Sequence, residues 1–423
     1  MRALNYLLFA TCVVILGAGC STSRPATQGT YTALYDFESY YLHPEFRLYH
    51  HHADSTTLHY RVKSSELLYA RSRGEGGQEA RIRIDLQVRN EQGTLSDSLH
   101  FNDNDVRESE SAGYLYGSHS FKLPKGSWKI VLTFRDLNRG TTQEYFLSAE
   151  KSSPFHAQHM LVRKSSQGQP VFSAFVAEGD SVILESNILF GLSGVQKIWI
   201  SQFKENAKLP PPPFSQNAPE IPSTADLPRS GFDVTGSTYS FVMPAFPVFI
   251  SADPDAKQGL FLSPSSPFFP EIKGIDQLVG PLRYITSKAE FDEFSKASFS
   301  KPLVDNFWIE CAGSKDRARD LIRTFYTRVE ETNRYFSSYA EGWKTDRGMI
   351  HLVFGNPAKI RRTGNEETWI YGEEGNPASL SFVFRKNTSA LSDNVFVLQR
   401  DPQYRQVWEQ MVTAWRQGRV FND

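Results

Sequence analysis

Residues 81–90 read RIRIDLQVRN, in which Ile82, Ile84, Leu86 and Val88 alternate with Arg83, Asp85, Gln87 and Arg89. A period of two puts the four apolar residues on one face of a strand and the polar ones on the other, which predicts a half-buried β-strand. Working outward, LPKGSWKIVLTFRDLNRG (123–140) repeats the pattern with Trp128, Ile130, Leu132 and Phe134, bounded by turns at 124–126 and 138–140. LHYRVKSSELLYA (58–70) and QEYFLSAE (143–150) fit the same plan. Short strands at regular spacing predict an immunoglobulin-like β-sandwich over residues 31–150. A second strand-rich block, with PVFSAFVAEGDSVILESNILFG, VQKIWISQF and STYSFVMPAF, predicts a second sandwich over 151–252. It is interrupted by a loop over 208–230; residues 208–231 hold seven prolines in 24 residues, which predicts polyproline II character. Such a loop can dock in a partner's groove, but a plain surface loop is the expectation.

Proline-broken residues 253–280 read as a linker, after which the period changes. Over 281–423 the pattern is α+β. Lys288–Ser298 form a short helix, and Ser314 or Asp316 caps a long one with Ala318, Leu321, Ile322, Phe325, Val329 and Phe336 at helical spacing. The segments MIHLVF, ETWIYG, LSFVFR and NVFVLQ read as strands, and a closing helix carries Val407, Met411 and Trp415. The expected fold class is thus multidomain, with two immunoglobulin-like β-sandwich domains followed by a small α+β domain.

The N-terminus, MRALNYLLFATCVVILGAGC, has Arg2, an apolar run of roughly a dozen residues and small residues before Cys20. The run is shorter than the ~20 residues that cross a bilayer, so a cleaved signal peptide over 1–19 is expected. Small residues ending on Cys20, followed by Ser21-Thr22-Ser23, resemble a bacterial lipoprotein box, with Leu16 one step early. The resemblance implies lipidation of Cys20, a tether over 20–30 and a body held at a membrane surface. Lys+Arg total 46 against 47 Asp+Glu, so bulk charge gives no reason to expect nucleic acid as a partner. Beyond the leader the one cysteine is Cys311, expected as a buried structural thiol.

Residues 341–357, EGWKTDRGMIHLVFGNP, crowd an indole, a hydroxyl, an acid, a base and an imidazole together. Gly342-Trp343-Lys344-Thr345-Asp346 resembles the signature of GWxTD-domain proteins, a group found in Bacteroidetes-like and related bacteria. Phe307-Trp308, Arg347-Gly348, Phe354-Gly355-Asn356-Pro357 and Glu367-Thr368-Trp369 extend the resemblance over about residues 280–420. It implies strand-rich domains ahead of the signature domain and lipoprotein character, and no established reaction.

Read as chemistry, each motif position has a structural task. Trp343 is expected to cover the junction of helix and sheet. Thr345 and Asp346 are expected to bond nearby backbone N–H groups, and Gly348 to supply a positive φ before a strand. Gly355 and Pro357 close that strand, and the Thr345-Asp346-Arg347 trio ties the turn. The catalytic alternative uses Asp346 as base and His351 as proton shuttle, with Glu341 or Glu367 in support, but no nucleophile stands at a defined position. His50, His51 and His52 with His43 cannot all converge from one strand, so no metal is expected. Asp103 and Asp105 lack the glycine and final glutamate of a calcium loop, and phosphate-cradling or dinucleotide glycine motifs are absent, so no cofactor is expected.

The functional expectation is a non-enzymatic outer-membrane lipoprotein facing the periplasm, a scaffold or accessory subunit of a secretion, assembly or uptake complex. Its partners are then the membrane, through Cys20, and other envelope proteins. An envelope hydrolase or carbohydrate-processing enzyme and a glycan-binding lipoprotein are the alternatives.

Overall fold

The computed structural model describes residues 29–31 and 42–420, apart from residues 52–53, 72–76, 108–112, 187–196 and 297–299 and the single positions 226, 235, 256 and 364. The expected signal peptide, Cys20 and His52 lie outside the described residues. The chain is β-rich, with several sheets and a C-terminal region of mixed helix and strand.

In the first unit, strands Glu45–His50, Ser55–Lys63 and Tyr114–Lys122 form one sheet. Gln78–Arg89 is the centre of another, paired with Leu95–Arg107 on one side and Ser127–Asp136 on the other. The two sheets share one core, to which Leu58, Tyr60 and Val62 contribute from the first and Ile82, Ile84, Leu86 and Val88 from the second. The alternation in 81–90 is thus the alternation of core and outer face.

The second unit pairs a three-stranded sheet (Leu161–Arg163, Ser181–Glu185, Thr238–Val242) with a five-stranded one. The latter runs Phe175–Ala177, Leu260–Ser265, Val248–Ser251, Lys197–Gln202 and Arg229–Asp233. Leu260–Ser265 falls in the stretch expected to be linker. Proline punctuation on both sides hid it, yet Leu260 and Leu262 fill the second unit's core. The opposite face of this sheet is buried too: Phe249 and Phe261, cross-strand neighbours, pack with Phe203 against Tyr339, Leu391 and Val395 of the C-terminal region. The tetrapeptide Val248–Ser251 is buried throughout because both its faces are covered.

The C-terminal region has six helices among the described residues: α1 (Ile275–Leu282), α2 (Lys288–Lys296), α3 (Lys301–Ala312), α4 (Lys315–Tyr335), α5 (Asp346–Phe354) and α6 (Tyr404–Arg416). They pack on a sheet ordered Gly29–Tyr31, Lys359–Arg362, Glu366–Tyr371, Leu380–Lys386 and Phe396–Leu398. The first of these strands comes from the N-terminal end and pairs antiparallel with Lys359–Arg362. Helices α1 and α3 were not anticipated. In α6 the anchors are Trp408 and Trp415, with Val407 to the side.

MIHLVF, expected as a strand, is instead the body of α5. Its apolar residues occur on every face because the helix is buried on all sides, from Met349 to Val353, and a short, mostly apolar run cannot by itself separate buried helix from buried strand. Ser314 does cap α4, its Oγ accepting from the Arg317 amide at 3.4 Å. Replacing Ser314 with Ala should therefore cost about 1 kcal/mol, seen as a fall of roughly 2–4 °C in the thermal midpoint.

Candidate functional site

The turn Gly342–Lys344 follows α4 and leads directly into α5. A Cβ on Gly342 would stand 1.6 Å from the Thr332 carbonyl oxygen, and one on Gly348 would stand 1.9 Å from that of Gly342. The two glycines let the turn lie on the backbone of α4 and let α5 lie on the turn. Gly348 thus serves close approach within a helix, where a positive φ before a strand was expected. Thr345 is the N-cap of α5: its Oγ1 accepts from the Gly348 amide at 3.1 Å and donates to the Gly342 carbonyl at 2.8 Å. Trp343 is buried among helices, meeting α1 at Gly280, while Tyr284 donates to its carbonyl at 2.8 Å. Gly355 ends α5 with φ +79°, and Pro357 is buried just beyond.

The charged residues reach far from the turn. Asp346, with its side chain 0% exposed, accepts from Arg400 Nη1 at 3.0 Å and Nη2 at 2.5 Å and from the Leu398 amide at 2.8 Å. Burial pushes its carboxyl above the ordinary range, and the guanidinium opposes that shift. Arg347 pairs with Glu367 at 3.2 Å, between the rings of Phe336 and Phe396 at 5.1 and 4.1 Å, and donates to the Asn394 carbonyl at 3.1 Å. Glu367 also takes Arg362 at 3.1 Å and the Trp369 indole N–H at 3.2 Å. The expected local trio is therefore corrected: Thr345 ties the turn, whereas Asp346 and Arg347 fasten α5 to the sheet and to the segment after it.

His351 lies five residues beyond Asp346 on α5, about 140° around the axis, and its Nε2 meets Glu331 Oε2 at 2.7 Å between Phe336 and Trp369. The structure does not bring Asp346 and His351 to a common surface. Glu341 pairs with Lys344 at 2.6 Å. Cys311 is buried, and burial pushes its thiol up to about 11. His50 and His51 bond Thr56 and Thr57 respectively, while His43 pairs with Glu66. Among the described residues no group of three or more histidine, cysteine or carboxylate side chains could hold a metal. Asp103 accepts from Tyr60 and His119, and Asp105 from Tyr69 and Arg107. Five of the seven tryptophans, 308, 343, 369, 408 and 415, are buried in the C-terminal core.

One contact at this site was not anticipated. The proline-rich loop crosses from the second unit onto this site, where Arg400 Nη2 donates to the Pro211 carbonyl at 2.9 Å and the Asp401 amide to that of Pro213 at 3.1 Å. No periodicity links residues some 190 positions apart in sequence, so only the fold reveals the pairing.

The model of the GWxTD domain matches residues 248–417. The match starts ahead of the resemblance at about residue 280, taking in Val248–Ser251 and Leu260–Ser265, whose Phe249 and Phe261 face the C-terminal region. No curated protein matches the chain. Among solved structures, a Bacteroides uniformis β-glucuronidase aligns at 13% identity over 28% of this chain and 13% of its own, with a TM-score of 0.18. B. uniformis β-glucuronidase 2 aligns at 11% over 32% and 15%, with a TM-score of 0.17. A 282-residue C-terminal fragment of intimin aligns at 9% over 85% and 99%, with a TM-score of 0.14. The chain thus spans less than a fifth of either glucuronidase, and similarity of this degree bears on neither its fold nor its activity. The match shows that this chain carries a GWxTD domain over residues 248–417, the region that holds the interlocked glycines, the Thr345 cap and the Asp346 and Arg347 ties.

Proposed function

We propose that this chain is a non-enzymatic scaffold or accessory subunit of an outer-membrane secretion, assembly or uptake complex, anchored through lipidated Cys20 and facing the periplasm. The observation that carries the non-enzymatic part is the fate of the motif's charges. Asp346 is satisfied by Arg400 and Leu398, and Arg347 by Glu367 and Asn394, which leaves neither free to act on a substrate. The strand Gly29–Tyr31 supports the tethered part: eight residues separate Cys20 from its start, nine steps of chain with a reach of at most about 30 Å, so an anchor at Cys20 would hold the GWxTD sheet close to the membrane. The two β units are read as immunoglobulin-like sandwiches that space and present this domain.

Purification of the tagged native protein from its own membranes in mild detergent should bring a stoichiometric envelope partner with it. A clean monomer would overturn the scaffold reading. Asp346→Asn separates it from the hydrolase alternative: a brace loses stability, whereas an enzyme keeps its fold and loses turnover.

A further inference from the structure

The loop over residues 203–228 joins Lys197–Gln202 to Arg229–Asp233, and Ser201 is paired directly with Arg229. A hairpin whose ends are adjacent needs only two to five residues. Loops beyond about 15 residues without secondary structure are uncommon and usually carry function. This one leaves its own unit and lies over the GWxTD motif.

Its seat has the chemistry of peptide recognition. Pro210 and Pro213 are buried and Pro212 is exposed, the three-residue period of a polyproline II helix with one face down. Prolines offer carbonyl acceptors and no donors. The domain answers with donors only: the Arg400 guanidinium to Pro211 and the Asp401 amide to Pro213. Arg400 is held for this by both oxygens of Asp346, which fix the plane of its fork. On either side Leu209 and Phe214 pack against the domain core, and Arg405 lies over the Phe214 ring at 4.5 Å. A small cavity remains beneath, between Pro210, Pro219, Tyr339, Lys344 and Asp346.

We infer that the surface around Arg400, Asp401 and Tyr339 is a binding site for extended proline-rich peptides, occupied here by the chain's own strap and exchangeable for a proline-rich segment of a partner protein. Release of the strap breaks no strand pairing, because the sheet hydrogen bonds close at Ser201 and Arg229. Asp346 is then a positioning residue that aims Arg400. This deepens the scaffold reading by naming the chemistry of the partner, and rests on that reading for the partner's existence.

The test uses the full chain with residues 206–222 replaced by a Gly-Ser linker of equal length, titrated into a fluorescent peptide, KLPPPPFSQNAP, and followed by anisotropy. Saturable binding is expected, weaker by about tenfold or more for the unaltered chain, whose tethered strap competes at high effective concentration. The same peptide with alanine at the places of Pro210 and Pro213 should also bind about tenfold more weakly, since the buried prolines are the contact. No saturable rise in anisotropy at the highest concentration of the chain, or equal binding of the alanine peptide, would overturn the proposal. Should the replaced chain fail to fold, trypsin cleavage after Lys208 in Arg400→Lys serves instead. The strap should be cut about tenfold faster than in the unaltered chain, and an unchanged rate would overturn the site. Absence of an envelope partner would count against the scaffold reading and leave these binding results standing.

Discussion

Glu367→Gln should destabilise the GWxTD domain by about 3–5 kcal/mol, the cost of leaving one partner of a buried ion pair uncompensated. Glu367 is 0% exposed and Arg347 2%. Arg347 cannot move to water, because Phe336 and Phe396 hold its guanidinium from two sides. Its remaining bonds, to the carbonyl and the side-chain oxygen of Asn394, fix it in place. Asn394 in turn donates to the carbonyls of Tyr335 and Ser337 at 3.0 Å each. The loss therefore spreads from α5 to the end of α4. The amide of glutamine would keep the shape and one acceptor but turn an N–H either on both arginines, which share Oε1, or on the Trp369 indole N–H at Oε2, so the effect is electrostatic rather than steric. Arg362 is partly exposed and can turn outward, which leaves Arg347 as the stranded charge. Urea denaturation measures the loss. The double replacement Arg347→Met with Glu367→Leu should recover much of it, since replacing both partners by apolar groups is often nearly neutral. A loss under 1 kcal/mol in Glu367→Gln would mean that the pair does not hold the domain.

That pair also marks what could and could not be seen in the chain. The strands of the first unit are legible because each has one wet face: Arg83, Asp85 and Gln87 announce that Ile82, Ile84 and Leu86 point inward. The helices α4 and α6 are legible for the same reason at helical period. MIHLVF is not, since a helix buried all round has no polar face to reveal its period. The strand Leu260–Ser265 is short, proline-flanked and buried on the face that Phe261 shares with the GWxTD domain, so it too lacks an alternating signal. At the site itself, the cap by Thr345 and the need for glycine at 342 and 348 are local, and residue type pointed to a turn. The partners of Asp346 and Arg347 are 54 and 20 residues away, and the strap is further still. Charges paired across the fold leave no spacing to read, which is why the trio looked local.

Acidification from pH 7 to 5 should lower the stability of the chain steeply, through histidines at the joint between the first and second units. His50, at the end of Glu45–His50, faces His159, in the turn that opens the second unit, with ring centroids 5.1 Å apart. Burial, with His159 next, pushes His50 down to about 3; burial pushes His159 down to about 4. Lys151 and His156 add positive charge around both, and Gln158 and Thr56 hold the ring nitrogens of His50. Nearby, burial and then Arg163 and Arg47 push His59 down to about 4. All three are neutral in the folded chain and take up protons in the unfolded chain near pH 6.5. The unfolded state thus binds more protons between pH 6.5 and about 4, and stability falls as pH falls through that window, while above it the contribution is complete. Three protons correspond to at most about 4 kcal/mol per pH unit at the steepest point. The contacts of Arg47 with the carbonyls of Val171 and Met160 cross the same joint and carry no such dependence. Calorimetry at pH 7, 6 and 5 would show the slope, and His159→Leu should reduce it by about 1.4 kcal/mol per pH unit. A midpoint that stays level from pH 7 to 5 would mean that these histidines take up no more protons on unfolding than they hold in the fold.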